Sequence, residues 1–546
     1  MKYLALFFLF CYPLLINAQQ QSKRDTLQVH FDQEMPGEIL FTSSRERLQK
    51  EEYMPNYVLS PKSDLFFAIK LQKPLLYYQK ILAPKLTDTE LFQQGNFQFT
   101  LWIDGKVIYR SNLSPGAPQQ EIQQQETILK RPLIDQINGQ GSWSESFWNR
   151  FLFNGGEKAL TDGKHHLKME IRPYVNTHNL VVGDIIASGE LQLSVSMNPD
   201  VNPDKYMLQL PASYPGLNLS KAKFDRRRMQ KLKGMIEEGI FKKINGIVVL
   251  EHGNLLIEEY FNGENRDSLH DPRSVGKTFA STLTGMAIAD GFIKDEYQTL
   301  DQCYDFTKYQ HPDPGKNKTT IRELLTMSAG FDGNDEDPNS PGNEENMYPT
   351  TNWVDFTLDL PFRKSLQRQW HYFTAGVVVL GDLLHKQVEG GLESYADKRL
   401  FAPLGIRKYH WEHTPQGLPN TAGGIRMNAL DFAKYGQLYK NGGRWNGKQI
   451  LPQAWVQKSL SKQLMIPERE KEYYGYLFWN KRFNVGNKAY EAYYCAGNGG
   501  NYIIVMNDIP YVIVITASAY GQPYAHRQVD RIVSEFLLPA LINAGN

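Results

Sequence analysis

The chain is poor in cysteine, has no surplus of charge of either sign, and contains one long apolar run. Each scarcity excludes something. Three cysteines in 546 residues cannot staple a disulfide scaffold. Lysine and arginine number 60 against 59 aspartates and glutamates, a formal net charge of +1. A polycation that grips nucleic acid through its phosphates is thereby excluded. After the first twenty residues, no stretch is long and apolar enough to span a bilayer. Apolar and aromatic residues are plentiful, at 41% and 12%, which supplies surface to bury and excludes a disordered chain. At ~100–200 residues per domain, the length accommodates two to four domains.

The apolar run is at the start. Lys2 gives a positive beginning, Leu4 to Ile16 is apolar, and Ala18 ends the pattern with a small residue. This is the form of a secretory signal peptide, residues 1–18, cleaved after Ala18. The run is shorter than the ~20 residues of a membrane span, and Pro13 and Gln19-Gln20-Gln21 also fit cleavage. Phe8-Leu9-Phe10 lacks the small residues that precede a lipidated cysteine at Cys11. The expectation is an exported protein, periplasmic or secreted, with no membrane span after cleavage. Cys303 and Cys495 remain. Neither has metal-ligand spacing, and both are read as small buried residues.

Residues 19–200 read as an all-β domain. Phe97, Phe99, Leu101 and Ile103 alternate with other residues before an Asp104-Gly105 turn. Leu167, Met169 and Ile171, then Leu191, Leu193, Val195 and Met197, repeat the period. Period-two runs joined by Asp-Gly turns predict antiparallel hairpins and a β-sandwich. Residues 119–125 are polar and predict a loop. His165 and His166 fall on opposite faces of a strand and do not share a metal. Residues 201–219, rich in Pro, Asn, Asp and Gly, predict a linker. From 220 to 546 the pattern mixes strands with helices at about 274–290, 319–328, 374–388, 429–440 and 524–542. Strands near both ends of this region predict one antiparallel sheet closed by the termini, an α+β domain.

Three segments carry chemistry. Ser274 and Lys277 sit three apart at the start of a helix, on one face of its first turn. Unpaired N–H groups there favour an oxyanion. An amine one turn on can accept a serine proton where burial or a neighbouring cation favours its neutral form. An N-cap serine with a surface lysine has the same spacing. Trp370-His371-Tyr372-Phe373-Thr374 precedes a second apolar helix. Tyr372 there is either a proton relay or a core aromatic, and Thr374 either contacts substrate or caps the helix. Ala496-Gly497-Asn498-Gly499-Gly500-Asn501 leads into a strand, where glycines let a ligand approach the backbone. A phosphate loop is disfavoured, because no Lys-Ser/Thr follows.

These three segments, in this order, resemble the serine β-lactamase and penicillin-recognising superfamily. The resemblance is closest to its class C-related serine hydrolases, the carboxylesterase and nylon-oligomer hydrolase branch, over residues 240–540. The S-x-x-K element is similar at Ser274 and Lys277, Y-x-N at Tyr372 with Thr374 for Asn, and K-T-G or H-x-G at Asn498-Gly499-Gly500. The flanks resemble it too, at Thr319 to Gly330, Gly423 to Met427 and Asp431 to Leu438. The resemblance implies a β-lactamase-like domain, with a sheet flanked by helices plus a helical subdomain, and no cofactor. It implies Ser274 as nucleophile through an acyl-enzyme, with Lys277 and Tyr372 sharing the acid and base roles. Which of the two takes the proton stays open. The oxyanion hole implied is the backbone N–H of Ser274 and of Asn501. Thr374, Asn498, Gly499, Gly500 and Trp411 would contact substrate.

Two departures redirect the substrate. Thr374 lacks the amide of the second motif, and Asn498 lacks the cation of the third. A substrate carboxylate loses a charge-assisted contact, on the order of 1.5–3 kcal/mol. An ester or small amide is therefore expected. A D-amino-acid peptidase or β-lactamase acting on cell-wall-type substrates is the alternative, and a silent peptidoglycan- or glycan-binding module the second. The N-terminal domain could supply the cell-wall or glycan contact. His410-Trp411-Glu412-His413 matches neither zinc-protease spacing, so no metal is expected. The acidic loop 332–346 is read as mobile over the cleft.

Overall fold

The Asp-Gly turn is realised as read. In the computed structural model, Asp104 and Gly105 both have positive φ, +50° and +75°, the form that joins twisted strands in a two-residue hairpin. The structure describes residues 26–542 apart from 32–35, 45–52, 114–124, 136–146, 178, 198, 338–339, 468, 470 and 523. The expected signal peptide, and nearly all of the expected polar loop 119–125, lie outside the described residues. The chain divides into two compact units, Met1–Pro199 and Asp200–Asn546.

The first unit is built on ten strands. Gly95–Ile103 turns back into Lys106–Asn112 and pairs on its other side with the long strand Gly163–Asn176. Gly163–Asn176 pairs in turn with Ala187–Val195. The order then runs through Gly37–Thr42 and Leu65–Lys70 to Ile128–Ile134. The ten strands among the described residues belong to one hydrogen-bonded sheet. That sheet must curl. Leu65–Lys70 and Gly95–Ile103 are separated by three strands in the order, ~19 Å in a flat sheet. Yet the rings of Phe67 and Phe99 are 6.2 Å apart. Inward residues of both halves share one core. Helices at Leu75–Leu82, Asp88–Gln94 and Phe147–Phe151 qualify the all-β reading. His165 and His166 engage different carboxylates, Asp104 and Glu190.

The second unit contains an eight-stranded antiparallel sheet. Its order is Asn254–Tyr260, Ile244–Glu251, Tyr511–Ala517, Asn501–Met506, Lys488–Gly497, Trp479–Val485, Tyr473–Tyr474 and Leu464–Met465. Ile244–Glu251 and Tyr511–Ala517, from opposite ends of the unit, pair with Val248 against Val514. This is the closure expected from the sequence. Asn501–Met506 and Tyr511–Ala517 are buried throughout, as strands covered on both faces must be. Between the strands come the helices Lys277–Ala289, Ile321–Leu325, Thr374–Gln387 and Ala429–Lys440. Residues 201–219, expected as a linker, belong to this unit, and Val201 and Leu217 are buried in its core. Cys303 and Cys495 are free, Cys495 buried and Cys303 partly so.

Candidate active site

Ser274 occupies a tight turn, Arg273–Gly276, that feeds the buried helix Lys277–Ala289. The turn is strained at its entrance, with Arg273 at φ +51°, ~1–2 kcal/mol for an L-residue. Asp271 holds it there. The Asp271 carboxylate accepts from the Arg273 N–H at 3.0 Å and pairs with the guanidinium at 3.1 Å. Gly276 lets the turn touch a second loop, because a Cβ on it would lie 2.9 Å from Gly423 Cα. That contact brings the carbonyl of Ala422 beneath the site.

Lys277 is 2% exposed. Its Nζ donates to Ser274 Oγ at 2.8 Å and to the Ala422 carbonyl at 2.8 Å. It also lies 5.3 Å from the centre of the Tyr372 ring. Among the described residues no carboxylate is within ion-pair distance of it. Tyr372 arrives from the segment before the helix Thr374–Gln387, and its ring stacks on Trp479 at 5.7 Å. Burial pushes the Tyr372 phenol up, while the Lys277 charge and hydrogen bonding to Ser274 hold it back. The three groups thus converge. Spacing alone left Lys277 equally readable as a surface residue.

The third segment needs a shift of register. Gly497 is the glycine that abuts the nucleophile's turn. A Cβ on it would lie 1.9 Å from the Pro272 carbonyl oxygen and 3.1 Å from the Ser274 nitrogen. Gly499 packs against Tyr520, and Gly500 against Ala525 and Val529, so these two do not face Ser274. Asn501 pairs with Gly497 across the hairpin, and its buried amide bridges the Asn498 carbonyl and the Ala517 N–H, each at 3.0 Å. Among the described residues, the backbone N–H groups of Ser274 and Asn498 have no acceptor.

A cavity of about 310 Å³ opens onto Ser274. Asn498 and Ala422 line it on the nucleophile's side, and Glu344, Glu345, Tyr348 and Trp353 line it elsewhere. Asp271 and Glu412, at its edge, have guanidinium partners in Arg273 and Arg426. Glu344 and Glu345 have no cationic partner among the described residues, and the Glu344 carboxylate accepts from the Tyr348 hydroxyl at 2.6 Å. Trp411, expected at the pocket, is instead buried against Phe401 and donates to the Asn420 carbonyl at 2.9 Å. It supports the wall from behind. Thr374 is fully buried, and its backbone N–H is bound by Asp335. The loop 332–346, read as mobile, is bonded at several of its described residues. Asp332 pairs with Arg363 at 2.6 Å, and Asn343 donates to the carbonyls of Asp335 and Asp337.

Nothing local in the sequence marks Ala422, Trp479 or Asp335 as part of this assembly. Gly497 is marked only as the first glycine of its run. Among the described residues no three His, Cys, Asp or Glu side chains cluster as a metal group would require. His413 pairs with Glu393. Among the same residues no helix is long and apolar enough to cross a membrane.

The site thus joins a buried lysine, a serine at a helix start, a tyrosine and the end of an interior strand. Residues 232–534 match the Beta-lactamase family model, and the chain belongs to that family. It is a serine hydrolase and not a silent binding module. A search of curated proteins gives no match. Similar solved structures include the octameric penicillin-binding protein homologue from Pyrococcus abyssi, 16% identical over 57% of this chain and 77% of that one, TM-score 0.45. The D-amino acid amidase from Ochrobactrum anthropi SV3 is 15% identical over 56% and 95%, TM-score 0.42. EstCE1, a hydrolase with promiscuous acyltransferase activity, is 15% identical over 57% and 99%, TM-score 0.46.

Proposed function

We propose that the chain is an exported serine hydrolase that cleaves an ester or small amide through an acyl-enzyme on Ser274. The observation that carries this reading is the 2.8 Å contact between Lys277 Nζ and Ser274 Oγ, made by a lysine that is 2% exposed. Ser274 Oγ attacks the substrate carbonyl carbon, and its proton passes to the Lys277–Tyr372 pair. The carbonyl oxygen becomes an oxyanion held by the backbone N–H groups of Ser274 and Asn498, a change from the Asn501 expected by motif. Such a donor is worth ~3 kcal/mol of barrier. The C–O or C–N bond breaks, the leaving group takes the proton back, and water then attacks the acyl-enzyme by the same route. A phenol pushed up by burial is neutral near pH 7 and can donate to the leaving group.

The cavity's charge supports the substrate preference. Glu344 and Glu345 place two negative groups without cationic partners on its lining, which disfavours a substrate carboxylate. Penicillins and D-Ala-D-Ala peptides carry one. A fluorophosphonate probe is expected to label Ser274, with Ser274→Ala folded and unlabelled. p-Nitrophenyl acetate is expected to turn over while penicillin does not. Efficient acylation by a labelled penicillin would replace the esterase reading with the peptidase one. Export rests on the first eighteen residues, and a mature N-terminus at Gln19 in the exported protein is its test. Contact of the N-terminal unit with cell wall or glycan belongs to the same proposal, and co-sedimentation of the full chain with insoluble peptidoglycan tests it.

A further inference from the structure

Asp335 makes three hydrogen bonds that converge on the site. Its backbone N–H donates to the Tyr372 carbonyl at 2.8 Å. Its Oδ2 accepts from the Thr374 N–H at 2.8 Å, and its Oδ1 from the Glu344 N–H at 2.8 Å. The first two bonds bracket the peptide units on either side of Phe373, so the backbone that carries the Tyr372 phenol is held on its C-terminal side. The third fixes the start of the segment that brings Glu344, Glu345 and Tyr348 to the cavity. No cation among the described residues pairs with this carboxylate.

We propose that Asp335 is a positioning residue of the acyl-transfer centre, whose ionised carboxylate holds Tyr372 against Ser274 and Lys277 and fixes the acidic wall of the cavity. The proposal rests on the Ser274 acyl-enzyme reading and adds to it a residue that touches neither substrate nor nucleophile. Both oxygens must be acceptors for both N–H groups to be satisfied. A proton on the carboxylate removes the charge that strengthens both bonds, and an Asn amide in its place turns an NH2 donor toward one of the two N–H groups. The phenol then loses its fixed backbone, and misplacement of a reacting group by ~1 Å can lower the rate ~100-fold.

The charged and titratable groups around Asp335 are Glu344, Lys277, Tyr372 and Tyr348. Burial and the Glu344 charge push the Asp335 carboxyl up to about 6, against the opposing pull of Thr374 and Lys277. Activity is therefore present above about pH 6 and lost as the pH falls through it. Stability runs the other way. A carboxyl raised in the folded state contributes stability below its unfolded range, and that contribution disappears as the pH rises through about 6. A purely structural residue would move the melting temperature. It would not give an activity limb of opposite sign.

The test is the rate of fluorophosphonate labelling of Ser274 from pH 5 to 8 in the full chain, with melting curves at each pH. Wild type, Asp335→Asn and Glu344→Gln are compared. Wild type should lose labelling below about pH 6. Asp335→Asn should label ~10–100-fold more slowly at pH 7.5 and show no acid limb. Glu344→Gln removes a charge that raises Asp335 and should move the limb to lower pH. Asp335→Asn labelled at the wild-type rate, or with the wild-type limb, overturns the proposal. Should that variant fail to fold, an unmoved limb in Glu344→Gln overturns it. A wild-type protein that is labelled elsewhere, or not at all, overturns the acyl-enzyme reading itself, and with it the reaction that Asp335 would serve.

Discussion

The two units differ in how they place lysine and histidine. In the first, the core is Phe, Leu and Ile, and the histidines lie near the surface beside carboxylates, His30 on Asp184 and His166 on Glu190. In the second, Lys277, Lys316, Lys434, His270 and His371 are all buried. Burial pushes Lys316 down to about 8. A charge taken from water is expensive unless it is compensated, and a fold has no need of it. In the second unit Lys277 bears that expense beside Ser274, whereas Lys434 is compensated by Asp431 and Lys316 by the Leu358 carbonyl. The contrast separates residues that make the fold from residues that make the chemistry.

The contrast can be broken or sharpened in order of expected effect. Phe99→Ala, in the core of the first unit, should cost ~3–5 kcal/mol there. Labelling of Ser274 should stay at the wild-type rate, and a drop in parallel with the melt would show that the units are not separable in function. Tyr372→Phe removes one oxygen from the second unit and should lower ester turnover ~100-fold or more, with little change in the thermal melt. A lost melt with retained turnover would reverse the assignment of Tyr372 from chemistry to core.

Acid should distinguish the units next. Burial holds His270 and His371 below the ordinary histidine range. Each contributes stability above that range, and this is lost as the pH falls and the folded state resists taking up the proton. Hydrogen exchange at pH 7 and pH 5, corrected for intrinsic rates, should show protection falling more at the amides around His270 and His371 than in residues 26–199. Equal loss in both would remove the distinction. The smallest effects should be equal. Thr87 with Glu90 in one unit, and Thr320 with Glu323 in the other, form reciprocal helix caps. Thr87→Ala and Thr320→Ala should each cost ~1 kcal/mol and leave labelling unchanged, since a cap serves the fold wherever it sits.

Local pattern made much of this legible. Period-two runs located strands such as Gly95–Ile103, and the Asp104-Gly105 turn located a hairpin, because side-chain alternation and turn conformation are properties of neighbouring residues. Ser274 with Lys277 was legible for the same reason. Pairing partners were not. The first unit's single curled sheet depends on which strands meet across the chain. Residues 201–219 have a breaker's composition, yet Val201 and Leu217 anchor them, and composition does not register two apolar residues. The third motif was misplaced by three positions because every glycine in the run is locally alike. Only the approach of Gly497 to Pro272 and Ser274 distinguishes it. Asp335 is one acid among several in its loop until the chain folds its carboxylate onto Thr374 and Glu344.

The claim on which the rest depends is that Lys277 makes Ser274 reactive. Intact-mass measurement after fluorophosphonate treatment, with peptide mapping, tests it in wild type, Ser274→Ala and Lys277→Met. The account predicts one adduct on Ser274 in wild type, none in Ser274→Ala, and labelling slowed ~100-fold or more in Lys277→Met. An adduct on another residue, or undiminished labelling without the amine, would contradict it.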